Sequence, residues 1–457
     1  MSENITAQSV LFPDLLRRPV VVKFDQRHGS SDGGAILLKA CDERLRLSER
    51  LAGCLIDGRQ AGKVEHSIAD LVRQRLFGIA CGYADCNDAA RLSEDPIQKL
   101  LLGRDPLRGA ALASQPTLSR FENAPRRAEL YRMSESLAET VIERHRRRLG
   151  SRKVKHITID LDPTHGGQQL SFFNGHYGTW CYLPVAGFVT FEREADQYLF
   201  CYVLRPGNAP AKQGAIGILD RVIKRLRAAF PKARILVRLD GGFGGPELLD
   251  FLEDEAKVGY IIGMAENKVL KRRARRRMGR ARRLSRLRGQ TANVFGETRY
   301  AAKSWKGRKR RVLIKAEVVR LEGREPKDNE RFVVTNLKGS PRHLYKKIYC
   351  GRGKIENRIK ELHHGLEIDR TSCTSFLANQ LRVLLTAAAY VLMQELRLNA
   401  VRSDCATAQV STLRERLLKL GVWVERSVRR IVLHLPQSFP YLCDWLRIAR
   451  SVGAVPA

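Results

Sequence analysis

Along the chain, the spacing of apolar residues changes its period. Over residues 1–150 it is helical after a short extended start at Val20–Phe24. SIADLVRQRLFGIACGY (67–83) and RAELYRMSESLAETVIERHRRRL (127–149) set apolar side chains three and four residues apart, which predicts amphipathic helices. Pro116 and Thr117 open another short helix, with Ser114 as its cap. From residue 151 the period drops to two. KHITIDLD (155–162) alternates Ile157, Ile159 and Leu161 with polar neighbours, a strand whose acidic residues gather at one end. YLPVAGFVTFE (182–192) and QYLFCYVLRPG (197–207) predict two more strands in a hairpin. AKQGAIGILDRVIKRLRAAF (211–230) predicts an amphipathic helix, and RILVRLD (234–240) a strand that again ends on aspartate. GPELLDFLEDEA (245–256) predicts a helix and VGYIIGMA (258–265) a fifth strand.

The order is β-β-β-α-β-α-β. It describes an α/β core with a mixed sheet, a three-stranded meander followed by parallel additions through helical crossovers. The strands ANVFGETRY (292–300), RRVLIKAEVVRL (310–321) and ERFVVTNL (330–337) come after a very basic run, 268–289. YCGRGKIENRIKELHHGLEIDR (349–370) reads as one helix. The next helix (375–398) is apolar on most faces and so expected to be buried. The tail VSTLRERLLKLGVWVERSVRRIVLHL reads as a basic amphipathic helix. The expected organisation is a helical N-terminal region (1–150), a first part of the α/β core (151–267) and a basic β-rich insertion (268–340). A second part of the core carrying the 349–370 helix (341–400) and a helical C-terminal region (401–457) complete it.

Composition narrows the partner. At 457 residues the chain is long enough for two or three domains, and 44% hydrophobic residues can form real cores. Its formal net charge is +34, a sequence-independent attraction for a polyanion, and nucleic acid is the natural one. A membrane surface is the competitor. No apolar run of about 18 residues stands out to span a bilayer, and the N-terminus lacks the basic-then-apolar order of a secretory signal. The ten cysteines are scattered and form no CxxC pair, which predicts reduced thiols in a cytosolic protein. The partly basic helical N-terminal region suits a DNA-binding module such as a helix-turn-helix, although no segment stands out as its recognition helix.

The candidate chemistry lies in carboxylates. Asp160 and Asp162 end the first core strand and Asp240 ends the fourth. In this topology those strands are neighbours at the sheet centre, so their ends converge, and Glu356 on a later helix can join them. Three carboxylates suit hard Mg²⁺ or Mn²⁺ better than zinc. Two such ions can activate a water or a 3′-hydroxyl and stabilise the leaving oxygen of a phosphodiester displacement. Aspartates also cap strand ends and turns, which is the plainer reading for any one of them. Within the 349–370 helix, Tyr349, Arg352, Glu356 and His363 share one face. Tyr349 and Arg352 could hold a phosphate beside Glu356. The plainer alternative is a surface pair of Glu356 with Arg352 or Lys360.

Taken together, Tyr349-x2-Arg352-x3-Glu356, the two strand-end aspartates and the stretches DPTHGGQQLSFFNGHYGTWCYLP, LRPGNAPA and VRLDGGFGGPELLDFL resemble the DDE transposases of bacterial insertion sequences. The wording is most similar to the thirteen-eighty family, of the Tyr-Arg-Glu branch and distantly related to piggyBac-type transposases. The resemblance spans about residues 20–450. It implies a ribonuclease-H-like core interrupted before the glutamate. It also implies a cut-and-paste enzyme that binds terminal inverted repeats, cleaves DNA ends with two Mg²⁺ and joins 3′-OH ends to target DNA, in related enzymes through a hairpin. On this basis Asp162, Asp240 and Glu356 are the catalytic, metal-binding acids, with Asp160 an alternate to Asp162. Tyr349, Arg352, Lys360 and His363 contact DNA. A homodimer in the DNA complex and a place on the bacterial nucleoid, in the cytoplasm, are also implied.

Two positions depart from the family pattern. His363 stands where the pattern has lysine, seven residues after the glutamate, and a neutral histidine is a weaker phosphate anchor. The first motif is also shorter, with a single DPTHG. Trp305, set among Lys303, Lys306, Arg308 and Lys309, is a candidate to stack on a flipped base, against a plain hairpin aromatic. Residues 271–289 hold eleven basic residues in nineteen, including Arg272, Arg273, Arg276 and Arg283, and are expected on the DNA backbone. His165, Gln168, Gln169 and Asn208 read as loop scaffolding or DNA contacts. Two rivals remain: a nuclease or resolvase of the same fold that cleaves without joining, and an inactive DNA-binding relic.

Overall fold

The computed structural model describes residues 9–14, 17–164, 166, 171–175 and 178–456. Two short strands, β1 (Val10–Phe12) and β2 (Val20–Val22), pair antiparallel, and β3 (Gly29–Ser30) follows. Helices then dominate to Leu149. Ile68–Ala80 starts at a capping box, in which Asp70 N donates to Ser67 Oγ and Ser67 N to the Asp70 carboxylate. Arg127–Leu149 spans its expected range. Gln115–Asn123 begins after Ser114 as expected, but the Ser114 hydroxyl pairs with Thr117 Oγ1 at 3.2 Å rather than capping a backbone N–H.

The strand β4 (His156–Pro163) leads into a small hairpin, β5 (Phe172–Asn174) with β6 (Thr179–Cys181). Next come β7 (Val185–Phe191), β8 (Tyr198–Val203), β9 (Arg234–Leu239) and β10 (Val258–Met264). The helix Ala215–Ala229 links β8 to β9, and Pro246–Asp254 links β9 to β10. After them lie β11 (Ala292–Tyr300), β12 (Arg310–Val319) and β13 (Lys327–Thr335). These strands form one eight-stranded mixed sheet, in the order β11-β12-β13-β10-β9-β4-β7-β8. β9 runs parallel to both β4 and β10, and the other pairings are antiparallel. The two aspartate-ended strands are therefore adjacent, and both lie inside the sheet. The segment read as a β-rich insertion adds its strands to this same sheet: β13 pairs with β10, which would otherwise be an exposed edge.

The basic run folds as one helix, Lys268–Arg288. It buries Leu270, Ala274, Met278, Ala281 and Ser285, spaced four, four, three and four, against β11 and β12. The helix Phe376–Asn399 is long and apolar enough to cross a membrane by length and composition, contrary to the sequence expectation that no such stretch exists. It is instead the core helix of the fold, packed against β8 and the helices Ile68–Ala80 and Arg127–Leu149. Its glutamines satisfy the edge strand β8 and the chain around it: Leu204 N donates to Gln380 Oε1 (2.8 Å), and Gln394 Nε2 donates to the Gln197 carbonyl (2.8 Å).

The tail departs from its expected helix. After a helical stretch at 410–418 the chain forms β14 (Val422–Arg426) and β15 (Ile431–His434), and β14 pairs with β3. Val422 and Val424 alternate with exposed Trp423 and Glu425, a period of two that basic residues blur. The pairing with β3, far away in sequence, decides between strand and helix. All ten cysteines are free thiols.

Candidate active site

Asp162 lies in the last turn of pleat of β4, opposite Ala186 of β7, and is buried. Asp240 follows the last residue of β9 and caps a tight turn, Gly241–Phe243, where its Oδ1 accepts from Gly242 N at 2.8 Å. Glycines set the spacing on the far side. A β-carbon at Gly263, on β10, would fall 2.6 Å from Tyr349 Oη and 2.7 Å from the Gly241 nitrogen. Only glycine there lets Tyr349 and the Asp240 turn lie side by side.

Asp160 takes a different role from the alternate ligand expected of it. It is fully buried and faces Arg238 across the β4–β9 pair. Arg238 grips its carboxylate through Nε (2.8 Å) and Nη2 (2.6 Å), and Gln197 Nε2 adds a third bond at 2.9 Å. With its oxygens so engaged, Asp160 is a structural anchor. Arg238 also donates to the Ile348 carbonyl at 3.2 Å, so this pair fixes the entry to the Glu356 helix.

That entry is irregular. Leu344–Tyr349 is a π-helical turn, Cys350–Gly353 a 3₁₀ turn and Lys354–Leu366 an α-helix, ending at Glu367 in a left-handed conformation rather than running on to residue 370. Such changes of helical pitch recur at functional sites. The helix is anchored by Glu361, which is buried and accepts from Arg358 Nη1 (2.8 Å), Tyr390 Oη (2.8 Å), Val410 N (2.8 Å) and Arg397. Its exposed side carries Glu356 and Lys360. Among the described residues Glu356 forms no ion pair with Arg352 or Lys360. Arg352 reaches instead to Asp162, Nη1 to Oδ1 at 2.8 Å.

His363 is tied down on the same side. Its Nδ1 lies 3.2 Å from Asp369 Oδ2 and its Nε2 3.3 Å from Thr164 Oγ1. Both ring nitrogens are engaged, so the expected DNA contact gives way to a strut between the end of β4 and the Glu356 helix. Gly166 must be small for this strut, since a β-carbon there would lie 2.7 Å from Asp369 Cβ and 3.1 Å from His363 Cε1. His165, Gln168 and Gln169 lie outside the described residues, and Asn208 is exposed on the loop after β8.

The charges are felt across the site. Burial raises the Asp162 carboxyl from 3.8 to about 6; the Arg352 guanidinium pulls it down, while the charges of Asp240 and Glu356 push it up. Burial likewise raises the Tyr349 hydroxyl, which Arg352 lowers and the charge of Asp240 raises. Asp162 thus senses the charges of the other two acids, and the oxygen-only chemistry of the three carboxylates fits a hard divalent ion. Among the described residues, however, no group of three or more His, Cys, Asp or Glu is arranged to hold a metal ion. The positive charge at Asp162 is supplied by Arg352.

Further out, Arg272, Arg276 and Arg283 stand on the exposed face of the Lys268–Arg288 helix, opposite its buried stripe. Arg273 turns aside to Thr298 Oγ1 (3.1 Å) and the Arg299 carbonyl. Trp305 is 6% exposed, edge-to-face with Tyr300 (5.5 Å) and covered by the Arg310 guanidinium 5.0 Å from its ring centre. Buried in this way, it packs the sheet, the plain hairpin aromatic of the two sequence readings. Sequence reading missed Arg238, Gly263, Thr164 and Asp369. The one signal was an arginine two residues before Asp240, matching Asp160 two before Asp162.

Two adjacent strand ends bearing aspartates, and a helix bearing a glutamate beside them, on a mixed sheet with a strongly basic helix, define a protein of the acid-site, DNA-handling class. The family model Transposase DDE domain group 1 matches residues 12–452, and the chain belongs to this family. Among solved structures, the chain is similar to a piggyBac transposase synaptic complex with hairpin DNA, at 10% identity over 85% of this chain and 79% of that one, with a TM-score of 0.37. None of the curated proteins matches.

Proposed function

We propose that this member of the DDE transposase family is the cut-and-paste transposase of an insertion sequence, with Asp162, Asp240 and Glu356 as its acids on a ribonuclease-H-like sheet. The observation that carries the reading is the parallel pairing of β4 with β9, which sets Asp162 and Asp240 at neighbouring strand ends, with the charge of Glu356 sensed at Asp162. Asp162, Asp240 and Glu356 would hold Mg²⁺ or Mn²⁺, two ions in the full reaction. Bound there, such ions would supply Lewis-acid chemistry to the attacking and leaving oxygens of an in-line phosphodiester displacement. The chain's own part is to hold the DNA. Tyr349 and Arg352 address the scissile phosphate, and Arg272, Arg276 and Arg283 take the duplex backbone. Lys360, exposed one turn beyond Glu356, extends this basic path. The DNA is the element's terminal inverted repeats and the target, engaged by a homodimer, with second-strand cleavage through a hairpin.

A strand-transfer assay with a pre-cut 3′-OH end and Mg²⁺ tests the reading. Joined product from the native chain, absent in Asp240→Asn with duplex binding retained, is expected. Hydrolysis without joining would favour the nuclease rival. Activity unchanged in Asp240→Asn would reduce the chain to a DNA-binding relic.

A further inference from the structure

The Arg352–Asp162 pair has a consequence beyond anchoring. Of the three acids, Asp162 alone carries a cation: Glu356 has no ion pair among the described residues, and Asp240 Oδ1 accepts a backbone N–H. Both partners are largely covered, with 17% of the Arg352 and 11% of the Asp162 side chain exposed. A guanidinium at 2.8 Å repels a second cation from the same carboxylate. Among the described residues Arg352 bonds through Nη1 alone, which leaves the rest of its fork for a second partner. Carboxylate and phosphate are the two groups that match such a fork. The backbone around it is packed on one side and open on the other. Arg352 sits in the 3₁₀ turn between a π-turn and an α-helix, flanked by Gly351 and Gly353. A β-carbon at Gly351 would fall 2.7 Å from Arg238 Nη1, whereas one at Gly353 would meet nothing within 4 Å.

We propose that Arg352 is a DNA-operated gate on the carboxylate site: without DNA it holds Asp162 as an ion pair, and an arriving phosphodiester takes the guanidinium over and frees Asp162 to bind a divalent cation. This rests on the assignment of Asp162, Asp240 and Glu356 as the metal-binding acids. The gate makes metal capture depend on substrate, so the unloaded chain does not assemble a cleaving centre. Arg352 acts as a positioning residue on Asp162 in one state and on phosphate in the other.

The test is Mn²⁺ binding to the full chain at about pH 8, read from the loss of the free-ion electron paramagnetic resonance signal. It is run with and without a short blunt duplex, and uptake by the duplex alone is subtracted. The native chain should bind Mn²⁺ about tenfold or more tightly with duplex than without, the size of one charge-assisted hydrogen bond. Arg352→Met, which keeps the apolar stem without the charge, should bind Mn²⁺ without duplex about as tightly as the native chain does with it. Arg352→Lys should restore the dependence on DNA. Equal Mn²⁺ affinity of the native chain with and without duplex, or an Arg352→Met chain that still needs duplex, overturns the gate. If Asp162→Asn combined with Asp240→Asn keeps the full duplex-dependent uptake, the acid assignment itself falls and takes the gate with it.

Discussion

Replacing Asp162 by asparagine should stabilise the folded chain. The carboxyl is raised from 3.8 to about 6, chiefly by burial, and the charges of Asp240 and Glu356 oppose the relief that Arg352 provides. The shift is about two pKa units, worth ~3 kcal/mol at about 1.4 kcal/mol per unit. Because the folded pKa lies above the unfolded one, the folded state holds the proton more tightly. The associated stability is complete below 3.8 and is lost as pH rises through about 6. At about pH 8 the ionised carboxylate therefore costs the fold ~3 kcal/mol, and a neutral asparagine removes that cost. At about pH 5 the gain should be roughly half as large. With an unfolding entropy of about 2 cal/mol/K per residue, a chain this long shifts its Tm by about 1 °C per kcal/mol. Thermal melts followed by circular dichroism should show Asp162→Asn about 3 °C above the native chain near pH 8, with a smaller gap near pH 5. A lower Tm at pH 8, or a gap independent of pH, would refute the account of Asp162 as a carboxylate held charged against burial. Such a trade of stability for chemistry is what the proposed role of Asp162 entails.

Arg238→Met should strand the Asp160 carboxylate, fully buried, without its cation and cost ~3–5 kcal/mol in denaturant melts; a loss below about 1 kcal/mol would show that Asp160 is not held by this pair. Changing Arg272, Arg276 and Arg283 together to glutamine should flatten the slope of log K against log salt by about 0.9 per lost phosphate contact, measured by fluorescence anisotropy on a duplex, whereas Arg273→Gln, already bonded to Thr298 and the Arg299 carbonyl, should move it little. Trp305→Ala should destabilise the chain by ~3–5 kcal/mol through the lost packing of a buried indole, while Trp305→Phe should leave DNA cleavage intact; loss of cleavage with stability retained would restore Trp305 as a base-stacking residue.

Local pattern was enough for much of the chain. The period of two in HITIDLD and RILVRL, set against the helical spacing between them, was sufficient for β4, β9 and their order in the sheet. A strand's alternation and its terminal residue are local properties, so both aspartate-ended strands were legible. The helix Arg127–Leu149 was legible for the same reason. What depended on distant partners was not. The strands β14 and β15 exist because β14 finds β3, some 390 residues away in sequence, and the period of two in VWVER was too short and too basic to announce it. Trp305 looked like a free aromatic in a basic loop, and only Tyr300 and Arg310 closing over it made it core. Asp160 and Asp162 share a strand face and a residue type, so composition could not separate them. The tertiary structure did, because β9 brings Arg238 opposite Asp160, whereas Arg352 comes to Asp162 from a helix some 190 residues away. Which carboxylate is locked inside the sheet and which lies at the strand end facing the later helix depends on which cation each meets. That is decided by long-range pairing, which no local stretch of sequence encodes.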